Sequence, residues 1–230
     1  MKNKINYLAI LTFYIIAIVL RYLTNKTALL NSLPDNFLKV ILKGIGPAAG
    51  ALIVFTVFKI KPVLSLKGNY KTLLAPFLLY WAVPILLISA VAWFINGSIP
   101  VIAVSAVLVY GLLEEIGWRG FLQQELKSLP GFLNILIVAI LWFIWHLNVD
   151  LTGTNLLFFG ILLLGSWGIG KVADSTNSLL AVSAFHSLNN FFPAINNRNL
   201  TIIIILLSFW IIALIIRKKQ QTKARIHTRQ

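Results

Sequence analysis

The sequence predicts an all-α, polytopic membrane protein with about eight transmembrane helices around a polar intramembrane site. Three observations carry this expectation. Hydrophobic residues make up 59% of the 230 residues, against roughly 45–50% in soluble domains. Charged residues make up 11%, less than half the usual share of about 25%. The few ionisable residues inside the apolar runs gather in particular runs instead of scattering.

Composition also excludes several classes. A chain this apolar cannot stay solvated as a disordered segment. It has no cysteine, so disulfide frameworks, CxxC redox pairs, Cys-ligated zinc and cysteine nucleophiles are ruled out. The net charge of +14 would suggest nucleic acid in a soluble protein. Here, however, the basic residues flank apolar runs, and no RNP-type aromatic signature or helix-turn-helix spacing accompanies them, so no nucleic-acid partner is expected. The chain reads as one membrane domain, 1–230, with a basic tail at 217–230 that can meet anionic lipid.

Runs of about 18 to 25 apolar residues are candidate spans. The first, 5–23, follows Lys2 and Lys4 like a signal peptide, but Arg21-Tyr22 stands where a small-residue cleavage site is expected, so it reads as a retained helix. The second, 37–58, is loosened by Gly44, Gly46, Pro47 and Gly50. The third, 72–95, is free of charge from Leu73 onward. The fourth, 101–126, contains Glu114, Glu115 and Arg119. A turn at Pro130-Gly131 leads into the fifth, 131–149, with His146. The sixth, 154–172, and the seventh, 176–194, turn near Asp174-Ser175, and the seventh carries His186 and Asn190. The eighth, 200–216, is again free of charge. With eight spans, fourteen basic residues fall on the side of both termini and four (Arg21, Lys26, Lys39, Arg198) on the other. The positive-inside rule then places both termini in the cytoplasm.

Ionisable groups within spans cost several kcal/mol or less on insertion scales, and they tend to line functional cavities. Helical spacing sorts the ones found here. Glu115 and Arg119 are i,i+4 and can pair on one face, whereas Glu114 points about 100° away. His186 and Asn190 are also i,i+4, and Trp142 sits one turn before His146. Counted from their turns, Glu114 and His146 lie roughly 22 Å deep and His186 roughly 16 Å deep, so one site near mid-membrane is expected. Each group also has a structural reading: Glu115–Arg119 as a stitch between helices, and the histidines and Asn190 as hydrogen-bonded glue. His227, in the basic tail, reads as a solvated residue.

A carboxylate, two imidazoles and an amide can activate water and stabilise an oxyanion. No GxSxG elbow is present, so water is the simplest nucleophile. Glu114, His146 and His186 also match a His₂Glu zinc set, although HExxH is absent.

EEIGWRG (Glu114 to Gly120), WFIWH ending at His146, and HSLNN with His186 and Asn190 resemble, in order and spacing, the motifs of the CPBP family. These are the CAAX-protease and bacteriocin-processing intramembrane endopeptidases, also called Abi proteins. The core motifs fall within about 101–194. One departure is Trp142, with Phe143 beside it, where the family usually has Phe. The resemblance implies that Glu114 activates water with His146, that His186 and Asn190 form the oxyanion hole, and that Glu115 and Arg119 support the site. A metal-free, glutamate-type mechanism is the preferred reading. Zinc held by Glu114, His146 and His186 is the alternative.

The implied substrate is a membrane-associated peptide or protein. Lys-rich ends and Asn/Ile/Lys-rich usage suggest a low-GC Gram-positive bacterium and a multi-pass place in its cell membrane. There the family is associated with bacteriocin self-immunity, peptide maturation or membrane-protein processing. The rival reading is a non-enzymatic immunity factor, scaffold or pseudoprotease. A small transporter is a weaker rival, because no inverted repeat is visible.

Overall fold

A computed structural model describes residues 4–34, 37–68, 78–97 and 101–191, with a few positions between 201 and 212. Seven principal helices run through them: α1 (Tyr7–Lys26), α2 (Phe37–Val57), α3 (Val83–Asn96), α4 (Val101–Gly117), α5 (Gly131–Trp145), α6 (Gly153–Thr176) and α7 (Leu179–Phe191). No strand occurs among the described residues. The chain is a helical, multi-pass membrane protein.

The helix ends follow local chemistry. Asn6 opens α1 by accepting from the Ala9 N–H at 3.0 Å, and Thr152 opens α6 by accepting from Asn155 N–H at 3.2 Å. Each satisfies a backbone donor that has no partner inside its helix. Along α1, Ala9, Phe13 and Ala17 are fully buried at i,i+4 spacing, while Leu8, Leu11, Ile15 and Val19 are exposed. A helix that is apolar on its outer face as well as its inner face suits lipid, not water.

Among the described residues, four helices are long and apolar enough to cross a bilayer: Tyr7–Lys26, Phe37–Val57, Val101–Ser128 and Gly153–Thr176. Eight full spans are therefore not supported. The expected fifth span, 131–149, stops at Trp145. His146 caps the helix and Leu147 turns the chain with φ +56°, a left-handed backbone that cannot continue an α-helix. In the expected seventh span, Asn177 at φ +49° ends α6, and α7 has only 13 residues. Of the expected third span, 72–95, residues 72–77 lie outside the described residues, as do most of the expected eighth, 200–216, and the whole tail, 217–230.

α4 is the centre of the bundle, packed against α2, α3 and α7, while α1 packs on α2 and α5 on α6. Past Gly117 it continues through a π turn, Trp118–Leu122, to Ser128. Phe13, Trp118, Phe121, Trp142 and Trp145 form one aromatic core, with Phe13 edge-on to Trp118 at 5.5 Å and Trp118 edge-on to Trp145 at 5.8 Å. The start of α7 is tied to the segment after α2. Ser65 N–H donates to the Asn177 carbonyl at 3.1 Å, and Leu179 N–H donates to the Ser65 carbonyl at 3.0 Å.

Small residues let α1 and α2 approach closely, as in other membrane helix pairs. A Cβ on Gly46 would lie 2.7 Å from the Ala17 carbonyl oxygen, whereas a Cβ on Gly160 would meet nothing within 4 Å. Gly46→Ala is therefore expected to destabilise the protein by about 1–3 kcal/mol. Gly160→Ala is expected to be neutral or to gain up to about 1 kcal/mol from helix propensity. Thermal unfolding of both variants in the same detergent checks this, and an unchanged midpoint for Gly46→Ala would contradict the close approach.

Candidate active site

The site is built on α4 and closed by α5, α6 and α7. Glu114, Glu115, Arg119 and His186 are all buried, none more than 4% exposed. Groups of this kind keep their charge away from water only when hydrogen-bonded and paired, and the partners are visible. Glu115 Oε1 accepts from Arg119 Nη1 at 2.8 Å. The same oxygen lies 2.5 Å from His186 Nδ1. Arg119 Nη2 also donates to Ser166 Oγ on α6 at 3.3 Å, and its guanidinium lies 4.5 Å from the centre of the Trp142 ring. Arg119 belongs to the π turn, a distortion frequent at functional sites.

Glu114 points elsewhere, as its 100° offset predicts. Its Oε2 accepts from Trp142 Nε1–H on α5 at 2.8 Å, and His186 Nε2 lies 3.8 Å from that same oxygen. His186 thus stands between the two glutamates, with Nδ1 on Glu115 and Nε2 toward Glu114.

His146 sits where α5 ends. Its Nδ1 lies 2.8 Å from the Trp142 carbonyl. A carbonyl only accepts, so Nδ1 carries the proton, and in the neutral ring Nε2 presents a lone pair. Phe158 and Trp145 hold the ring edge-on at 4.9 Å and 5.2 Å. Trp142 joins the parts of the site, with its ring 5.0 Å from His186 and 6.2 Å from His146.

The structure thus brings together Glu114, Glu115, Arg119, His146 and His186. Asn190, one turn beyond His186, is exposed, and the contacts that join the other five do not include it. The sequence pairs Glu115 with Arg119 alone, whereas the carboxylate is shared with His186. Trp142, expected only to pack on His146, also donates to Glu114.

Helical spacing among the intramembrane charges does not single out Arg21 or Tyr110. Arg21, which the charge count sets on the side opposite the termini, lies within α1. It donates to the Tyr110 hydroxyl oxygen at 3.3 Å and lies 4.1 Å from the centre of the Trp145 ring. A signal was available for both: Arg21 falls inside the first apolar run, and Tyr110 stands one turn before Glu114.

A zinc ion on Glu114, His146 and His186 does not fit the side chains as they stand. Among the described residues no three His, Asp or Glu groups converge on a point that could hold a metal. Glu114 Oε2 is already engaged by Trp142.

Removing Arg119 leaves the Glu115 carboxylate facing His186 alone inside the bundle. Breaking a buried pair in this way typically costs about 3–5 kcal/mol. Arg119→Met should lower the thermal midpoint in detergent far more than Lys127→Met, whose ion pair with Asp174 is about half exposed and contributes about 0–1 kcal/mol. Equal midpoints for the two variants would count against a structural role for the Arg119 pair.

No curated protein and no solved structure matches the chain. Residues 96–192 match the family described as type II CAAX prenyl endopeptidase Rce1-like. That segment holds Glu114, Glu115, Arg119, His146, His186 and Asn190, and its match bears out the likeness of the chain to the CPBP family.

Proposed function

We propose that the chain is an intramembrane endopeptidase that hydrolyses a peptide bond of a membrane-associated peptide or protein. The observation that carries this reading is the buried Glu114 carboxylate, held by Trp142 Nε1–H and faced by His186 Nε2, within a segment that matches an endopeptidase family.

In this reading water is the nucleophile. Glu114 accepts its proton, and the free Nε2 of His146 holds it by a second hydrogen bond. The water oxygen attacks the carbonyl carbon. Once His186 is protonated on both nitrogens, with Nδ1–H on Glu115, its Nε2–H is a donor for the developing oxyanion. Asn190 is the second donor that the family pattern assigns, and reaching the oxyanion requires its amide to swing in toward the His186 face. The proton held by Glu114 then passes to the leaving amine as the C–N bond breaks. Glu115 and Arg119 keep His186 in place. No step is routed through a metal.

The charge distribution supports both termini on the cytoplasmic side. The residue usage supports a bacterial cell membrane as the location. Selection of the substrate falls to the membrane cavity or to partner proteins.

Membrane peptidomics on cells with the wild-type protein, a deletion and Glu114→Gln tests the reading. Peptides or new protein termini should disappear equally in the deletion and in Glu114→Gln, while the variant accumulates normally. Wild-type peptides in Glu114→Gln cells would remove Glu114 from the mechanism and favour a non-enzymatic role in immunity or scaffolding. Processing by purified protein should survive chelation, and a stoichiometric zinc required for processing would overturn the metal-free mechanism.

A further inference from the structure

A guanidinium from outside the matched segment 96–192 reaches the face of α4 that carries Glu114. Arg21 on α1 extends toward α2 and α4. Its Nη1 donates to the Lys43 carbonyl at 3.1 Å and to the Tyr110 hydroxyl oxygen at 3.3 Å, and its guanidinium stacks on Trp145 at 4.1 Å. The Lys43 carbonyl is available for a physical reason. Residue 47 would ordinarily donate its N–H to residue 43, but it is Pro47, inside α2, and proline has no N–H to give. Arg21 takes the place of that missing donor.

Tyr110 carries the link to the site. It is one turn before Glu114 on α4, so the phenol and the carboxylate share one face of the helix. Because the phenol oxygen accepts from Arg21, its own O–H is left to donate to the carboxylate. The ring lies against Gly44 of α2, where a Cβ would come within 2.7 Å of two ring carbons, so α2 leaves room for Tyr110 only because residue 44 has no side chain. The charges also balance. Two carboxylates, Glu114 and Glu115, and two guanidinium groups, Arg119 and Arg21, leave these four side chains with no net charge between them, as a low-dielectric site requires.

We propose that Arg21 is a positioning residue for Glu114, acting through Tyr110. Trp142 Nε1–H holds the carboxylate from α5 and the Tyr110 O–H holds it from within α4. Arg21 fixes the phenol and supplies the positive charge that Glu114 lacks on its own helix. The inference rests on the reading of Glu114 as the base.

The test combines a spectroscopic signature with processing. Infrared difference spectra of wild-type protein minus Glu114→Gln, in detergent with ¹³C-labelled glutamate, isolate the Glu114 carboxylate stretch. Tyr110→Phe removes one O–H and keeps the ring, so it preserves packing. It and Arg21→Met should each shift or broaden that band, and Arg21→Lys should restore part of it. Processing, read by membrane peptidomics, should fall about ten- to a hundredfold in Tyr110→Phe and Arg21→Met, the usual weight of a hydrogen bond to a charged group. The double variant should lose little more than either single one, because both act through one chain of bonds.

An unaltered Glu114 band in both variants would overturn the proposal, even with processing reduced, since Arg21 would then act on the substrate instead. Wild-type processing in Glu114→Gln would defeat the reading of Glu114 as base, whatever the band does. Loss of processing in Glu114→Gln, with wild-type band and processing in the Arg21 and Tyr110 variants, would sink this inference alone.

Discussion

A charge inside an apolar bundle must find a partner there, and the arrangement of the helices around α4 follows from that requirement. Glu114 and Glu115 are adjacent in sequence, so the helix aims them in different directions and each needs its own set of partners. Glu115 takes Arg119 from its own helix and His186 from α7. Glu114 takes the indole of Trp142 from α5. The carboxylates thereby fix where α5 and α7 lie against α4. A helical bundle in lipid gains little from burying apolar surface between helices, so these polar contacts matter more for its geometry than they would in a soluble core.

Trp142 makes the site a single unit. Its nitrogen donates to Glu114, its carbonyl accepts from His146, and its ring lies against Arg119 and His186. In the position where the family usually has Phe, this side chain adds a hydrogen bond that Phe cannot make. The π turn in α4 adds a second adjustment. The Gln123 N–H reaches back to the Trp118 carbonyl, widening the turn that carries Arg119 toward Glu115 and Ser166.

Much of the site was legible because its pairs are local. The i,i+4 spacing of Glu115 and Arg119 announces their contact, and the offset of Glu114 announces its separate direction. What the spacing cannot show are contacts made across long stretches of chain. The bond from His186 to Glu115 spans 71 positions and the one from Trp142 to Glu114 spans 28. Periodicity within one helix carries no information on either. The helix ends differ from the sequence expectation for a related reason. Leu147 and Val149 follow Trp145 and extend the apolar pattern despite His146 and Asn148, whereas the left-handed turn at Leu147 depends on backbone conformation that composition does not record. A charge near the end of an apolar run reads as a flank, and only the packing of α1 on α2 shows that Arg21 turns inward.

The shortness of α5 affects the surrounding lipid. Fifteen residues rise roughly 22 Å, about 8 Å less than a hydrocarbon layer of roughly 30 Å. The exposed polar stretch that follows, with Asn148, Asp150 and Thr152, therefore begins below the level where headgroups would otherwise sit. A stretch this short is accommodated by local thinning of the bilayer or by snorkelling of its flanking residues, so a thinner hydrocarbon layer is expected beside α5 and His146. For the substrate proposed above, an extended peptide at the interface would then have less oil to cross before its backbone reached the two histidines.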